Sequence, residues 1–145
     1  MIRLGCGDDA ESFLNIDNCL TGLGMSKEDR AVLRRDVNVV LHCAATVRFD
    51  NSAIGLSTAV KINVRGLKEV MALARGMRRL VSFVHVSSGY VQCHLQGEAI
   101  QEVIYPPERH SVQEVLQLCD QIPSEERARE MIGQRPNTCH FTKVT

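Results

Sequence analysis

Short β-branched, apolar runs alternate along this chain with segments whose apolar positions recur every three or four residues. Val37-Asn38-Val39-Val40-Leu41-His42-Cys43-Ala44-Ala45 is nearly continuously apolar and bounded by polar segments, the pattern of a strand buried on both faces of a parallel sheet. Leu80-Val81-Ser82-Phe83-Val84-His85-Val86-Ser87-Ser88 reads the same way. Between them, a loop over Thr46–Ser52 leads to a helix expected to start near Ser57, with Val60, Val64, Leu67, Met71 and Ala74 on one face and Gly76 as terminator. Ser26, followed three residues later by Asp29, predicts a capped helix running through Leu33 to about Asp36. After the second strand, a loop holding Gly89, Gly97 and Pro106-Pro107 precedes a helix with Val112, Val115, Leu116 and Cys119 on one face, stopped by Pro123. Ser124 opens another helix, ending near Gly133. Ile2–Leu4 is a candidate short strand and Gly7-Asp8-Asp9 a turn. The order strand, helix, strand, helix predicts an α/β fold with a parallel sheet and right-handed crossovers. Ligands bind such sheets at the carboxyl ends of the strands, which singles out Ala44–Asp50 and Ser87–His94.

Composition narrows the function classes. The 145 residues suffice for one domain, and 17 basic residues balance 17 acidic ones, so nothing in the net charge points to nucleic acid or an anionic membrane. No window approaches the ~20 apolar residues of a membrane span, and Met1-Ile2-Arg3-Leu4-Gly5 is too short and polar for a signal peptide. A soluble, cytosolic chain is expected. Its six cysteines are widely spaced, with no C-x-x-C, and read as reduced thiols, Cys43 and Cys119 as small core residues. Cys93-His94 and Cys139-His140 lack a second pair at zinc spacing, so no metal is expected.

The two strand-end loops carry further wording. Val37–Asp50, then Ile62-Asn63-Val64-Arg65-Gly66, Phe83-Val84-His85-Val86-Ser87-Ser88-Gly89-Tyr90, Glu102-Val103-Ile104-Tyr105-Pro106-Pro107 and Arg135-Pro136-Asn137-Thr138 occur in that order. So does Leu23-Gly24-Met25-Ser26 ahead of Asp29-Arg30. From about Leu23 to Lys143 the chain resembles the fatty acyl-CoA reductases, alcohol-forming members of the extended short-chain dehydrogenase/reductase superfamily. The resemblance implies a partial Rossmann-like, doubly wound parallel sheet over residues 1–145, NADPH as cofactor, and reduction of a fatty acyl-CoA through the aldehyde to a primary alcohol. By the same resemblance, Ala44 and Ala45 would lie against the cofactor and Asn63 would hold a proton-relay water. Ser88 would bond the substrate carbonyl oxygen. Lys143 would hold the nicotinamide ribose and lower the pKa of the catalytic acid. Asp8 would be the acid that contacts adenine. The family is often found at endoplasmic reticulum or peroxisomal membranes.

Two departures stand out. The family places a catalytic Tyr four residues before the Lys, and here that position is Cys139, in Cys139-His140-Phe141-Thr142-Lys143. A thiol is shorter than a phenol and a poor hydrogen-bond donor. His140 points about 100° away on a helix and is no substitute. General acid catalysis typically contributes ~10²–10⁴-fold, so proton delivery is expected to be weak or absent. Secondly, no Gly-x-x-Gly-x-x-Gly turn follows a strand. The resemblance then implies a chain lacking the first strands and the carboxyl-terminal substrate region, with a non-catalytic remnant or a binding and regulatory short form as the alternative. A sugar-nucleotide epimerase shares the fold but not the His42-Cys43-Ala44-Ala45-Thr46-Val47-Arg48-Phe49 phrase. His42 and His85 read as satisfied core residues, Arg48 as exposed, and Glu125, Glu126, Arg127, Arg129 and Glu130 as a solvated face. Nothing in the sequence sets an oligomeric state.

Overall fold

Four helices open on a serine whose hydroxyl accepts an otherwise unpaired backbone N–H, the first-turn requirement of any helix. In this computed structural model, which describes residues 20–95, 97, 99–103, 105 and 110–144, Ser26 caps α1 (Lys27–Asp36) through Asp29 N at 3.0 Å. Ser52 caps α2 (Ala53–Ala59) through Gly55 N at 3.0 Å. A π turn (Val60–Arg65) and α3 (Gly66–Ala74) follow α2. Ser111 caps α4 (Val112–Asp120) and Ser124 caps α5 (Glu125–Ile132). The last helix, α6, covers Thr138–Val144. The strands β1 (Val39–His42) and β2 (Ser82–His85) pair in parallel, Val39 opposite Ser82 and His42 opposite His85. The expected strand at Ile2–Leu4 and its turn lie outside the described residues.

The chain divides into two compact units, one of Met1–Ala45 with Arg65–Val86 and one of Thr46–Val64 with Ser87–Thr145. In the first, Leu33 from α1, Val37 just after it, Val40 from β1, and Val70, Leu73, Ala74 and Met77 close a core with Leu23. Leu23 is fully buried although its φ is +61°, inside a turn over Thr21–Gly24. A left-handed non-glycine residue costs ~1–2 kcal/mol, and burying a leucine returns ~1.5–3 kcal/mol, so burial holds the turn. At the carboxyl ends of the strands, the Nδ1 atoms of His42 and His85 share one hydrogen bond at 2.9 Å. His42 is completely buried, whereas His85 is half-buried rather than a core residue.

In the second unit, Ala53, Leu56, Val60 and Val64 pack against Val115, Leu116 and Cys119 of α4, Ala128, Met131 and Ile132 of α5, and Phe141 of α6. Gly55 lies under the preceding loop, where an added Cβ would sit 2.5 Å from Asp50 Cγ. Ala53 N donates to Glu125 Oε1 at 3.1 Å, so one member of the exposed charged face of α5 closes the first turn of α2.

Four expectations need correction. The strands are not buried on both faces. Val40 points into the core, but Val39, Leu41 and Val84 are exposed on the other side, since the helices of this unit cover one face of the sheet. The long helix starts at Ala53, because Ser52 caps it, rather than near Ser57. Its apolar residues do not form one stripe: Met71 is 41 % exposed while Val70 and Leu73 are buried. The reason is that the run serves two cores, one up to Val64 and another from Val70 onward. Finally, Cys43 is exposed rather than a core residue, whereas Cys119 is fully buried.

Two outcomes are expected. Expressed by itself, this chain should bind a hydrophobic dye and aggregate, because Leu41 and Val84 present an uncovered apolar face. The double variant Leu41→Thr/Val84→Thr should lower dye fluorescence severalfold, and an unchanged signal would assign it to another surface. The Ser111 cap is a full capping box, with Glu114 Oε2 accepting from Ser111 N at 2.7 Å. That backbone bond, then the Ser111 hydroxyl, holds the Glu114 carboxyl below the ordinary glutamate range. A carboxyl lowered on folding contributes stability above its unfolded pKa, and the contribution fades as acid protonates the folded form. Ser111→Ala should cost about 1 kcal/mol at neutral pH, with the cost shrinking once the medium is more acidic than the glutamate range, as read by urea titration at each pH.

Candidate functional site

The described site residues expected from sequence fall on four short segments, one of them the stretch after β2 that holds Ser88. Ala44 and Ala45 follow β1, Asn63 sits in the π turn, and Cys139 and Lys143 stand one helical turn apart on α6. A π turn admits an extra residue into a helix and frequently marks a functional position. Here its Asn63 is 5 % exposed.

Asn63 accounts for most of the local order in the second unit. Its Oδ1 accepts from Thr46 N at 2.8 Å, and its Nδ2 donates back to Thr46 O at 3.1 Å. The amide therefore treats Thr46 as a neighbouring strand would, satisfying both backbone groups of one loop residue. The second Nδ2 proton goes to Thr142 Oγ1 at 2.8 Å. Thr142 Oγ1 in turn donates its proton towards the carbonyls of Thr138 and Cys139, at 3.0 and 3.1 Å. Both donors of Asn63 are thus in use, and one lone pair of Oδ1 remains for a further donor such as water. Geometrically, the bonds run from the loop after β1, through the π turn, to the helix that carries Cys139 and Lys143.

The start of α6 is fastened by the same loop. Thr138, 1 % exposed, donates its hydroxyl to the carbonyls of Asp50 (2.9 Å) and Arg48 (3.3 Å), and its N–H to Asn51 Oδ1 (3.1 Å). Asn51 Nδ2 reaches Pro136 O at 3.1 Å. Asn137 Oδ1 accepts from His140 N at 3.1 Å and faces His140 Nδ1 at 2.8 Å. Asp50 is itself ordered by a turn: Ser52 N donates to Oδ1 at 2.9 Å, and this bond, the Ser52 hydroxyl and the nearby Arg48 charge hold its carboxyl below the usual range. The Arg48 side chain is exposed, as expected.

Cys139 is half-buried and its thiol is free. Lys143 is half-buried on the same helix. Residues four apart face the same side of a helix, so the thiol occupies the position from which the resemblance expects a phenol to act beside the lysine. Ser88 is exposed in the segment after β2, where its Oγ accepts from Tyr90 N at 3.2 Å and keeps its hydroxyl proton for another acceptor. Ala44 and Ala45 are half-buried. Asp8 lies outside the described residues. Sequence reasoning passed over Thr142, Thr138 and Asn51. The Asn137-Thr138 phrase was the available signal, but nothing in the spacing announces bonds across some eighty positions.

Among the described residues, no group of three or more His, Cys, Asp or Glu comes together to hold a metal, and no helix is long and apolar enough to cross a membrane.

Residues 12–145 match the family model described as male sterility protein, an NAD-binding domain. Among curated proteins, fatty acyl-CoA reductase 1 of Xenopus laevis is 38 % identical over 141 residues, covering 94 % of this chain and 26 % of that protein. Human fatty acyl-CoA reductase 1 is 36 % identical over the same coverage. Mouse fatty acyl-CoA reductase 2 is 38 % identical over 122 residues, 83 % of this chain and 23 % of that protein. The chain thus spans about a quarter of the length of these relatives. With its parallel strand pair, its helical crossover and the π turn over Asn63 all inside the matched region, this chain belongs to the male sterility protein family, as part of the NAD(P)-binding domain that it shares with the fatty acyl-CoA reductases.

Proposed function

We propose that this chain forms part of the catalytic domain of an NADPH-dependent, alcohol-forming reductase of long-chain fatty acyl-CoA, altered at its proton donor. The observation that carries the reading is the α6 arrangement: position 139 and Lys143 stand one turn apart on a helix tied by Thr142 to Asn63. Ala44 and Ala45 would let the cofactor approach the backbone. Ser88 would bond the substrate carbonyl oxygen, Lys143 the nicotinamide ribose, and Asn63 a water at its remaining lone pair. Hydride transfer belongs to the nicotinamide. The residues present suit that group in kind: two small alanines at a strand's carboxyl end and a lysine on α6. The chain supplies position and charge, while the proton that the reduced carbonyl needs has no phenol to come from.

A second reading follows from the same position. With a thiol at 139, the chain would act as a binding or regulatory module that holds cofactor or acyl-CoA without turning it over. In the full-length chain, Cys139→Tyr should raise acyl-CoA reduction by about 10²–10⁴-fold, measured as NADPH oxidation with fatty alcohol as product. Cofactor binding without any gain in turnover would favour the binding module. Loss of both would sink the enzyme reading.

The Asn63 bonds should matter to stability as well. Asn63→Ala strands a backbone N–H and carbonyl at Thr46 and removes the partner of Thr142, each buried loss costing roughly 1–3 kcal/mol. Thr142→Val, which keeps the shape and leaves both Thr46 bonds in place, should cost less. Equal midpoints for the two variants in denaturant would show that Thr46 does not depend on Asn63.

A further inference from the structure

The net charge of zero conceals an uneven distribution in the first unit. Along α1, Arg30 and Ala31 lie three and four residues after Lys27, and Arg34 and Arg35 three and four after Ala31, which places all five on a single side of the helix at about 100° per residue. The acids of α1, namely Glu28, Asp29 and Asp36, fall on the rest of its circumference. Facing this side is the turn between α3 and β2, held by Arg78 N donating to Arg34 O at 2.9 Å. The groove between helix and turn measures about 560 Å³, and its lining contains five cationic side chains, the fifth being Arg78, and no acid.

Two residues without bulk make the surface concave. Ala31 forms part of the floor, and Gly76 brings the turn so close that an added Cβ would sit 2.7 Å from Arg34 Nε. Part of the charge is already engaged: Arg30 Nη1 donates to Gly22 O at 2.8 Å, and Arg35 pairs with Asp36 at 2.8 Å. These contacts fix the walls and leave most of the Arg30 fork, as well as Lys27, Arg34 and Arg78, around the opening. Like charges gathered in a concavity repel one another, and the arrangement becomes favourable when a multiply charged anion enters. Arginine forks suit phosphate oxygens, which they grip through paired hydrogen bonds.

We propose that this groove is a binding site for a phosphate-rich group, carrying at least two phosphates. Asp36 and Arg78 precede β1 and β2, so the groove lies at the amino ends of the strands, whereas Ala44 and Ala45 follow the carboxyl end of β1. It is therefore a site separate from the cofactor edge of this unit, and it does not rest on the acyl-CoA reading. The phosphates would come from a soluble diphosphate or from a lipid headgroup.

Calorimetric titration of the full chain with inorganic diphosphate, at saturating nicotinamide cofactor, tests the first source. Cosedimentation with phosphatidylcholine vesicles, with and without a phosphatidylinositol bisphosphate, tests the second. Binding in either arm supports the site when Arg34→Gln/Arg78→Gln weakens it about a hundredfold and Ala31→Phe, which keeps every charge but fills the floor, weakens it at least tenfold. Binding to vesicles alone names the headgroup as the source; binding to diphosphate names the soluble anion. Arg127→Gln/Arg129→Gln makes the same change of net charge on α5 and should leave binding intact. Equal weakening by that control, no response to Ala31→Phe, or no binding of either probe overturns the proposal. Circular dichroism of each variant excludes unfolding as the cause of a loss.

Discussion

Three hydrogen bonds from one buried amide set the order of the second unit. A loop leaving a strand has backbone groups that no longer belong to a ladder, and burying them unpaired costs 1–3 kcal/mol each. Asn63 supplies the missing partners for Thr46 from a helix, and its remaining proton fixes Thr142 on α6. The π turn belongs to the same constraint, since the extra residue falls in the stretch that holds Asn63. Thr138 repeats the device from the other side by donating its hydroxyl to the loop carbonyls of Asp50 and Arg48. Loop, π turn and α6 therefore depend on polar groups that are buried and mutually satisfied, while the apolar cluster around Val60, Val115 and Phe141 supplies the bulk of the burial.

Local signals were legible because their physics is local. A serine followed three residues later by its bonding partner predicts a cap whatever lies beyond, and Ser26 and Ser124 became caps. Apolar runs placed both strands and gave their parallel order. What sequence could not carry was which face of an element meets a partner. Val39 and Leu41 look identical to Val40 in a hydropathy profile, yet only Val40 is buried, because helices pack on one side of this sheet. Likewise, periodicity through Val60, Val64, Leu67 and Met71 assumes one core, whereas the chain passes from one to another along that run. Periodicity reports amphipathic order, and it is blind to a change of partner partway along.

The expected site residues were singled out in a different way. Asn63, position 139 and Lys143 were found through the company they keep in the sequence, and the structure puts two of them on α6 and bonds the third to that helix. Thr142 and Thr138 were not found. A threonine in a helix is ordinary, and its value here comes from partners 79 and 88 residues away. Ser88 shows the converse: its motif is distinctive, but the bond it makes, to Tyr90 N, is that of any serine in a turn.

Position 139 separates fold from chemistry. The hydrogen bonds that tie α6 to the loop after β1 and to Asn63 are made by Thr138 and Thr142. Residue 139 contributes only its carbonyl, which accepts from Thr142, and that would be unchanged for any side chain. The half-buried thiol can therefore stand there at little structural cost. A phenol in the same place would reach several ångströms further along the helix face it shares with Lys143. The bonds described for this helix are thus independent of the side chain at 139, which is why a change at this residue leaves intact how the helix is held.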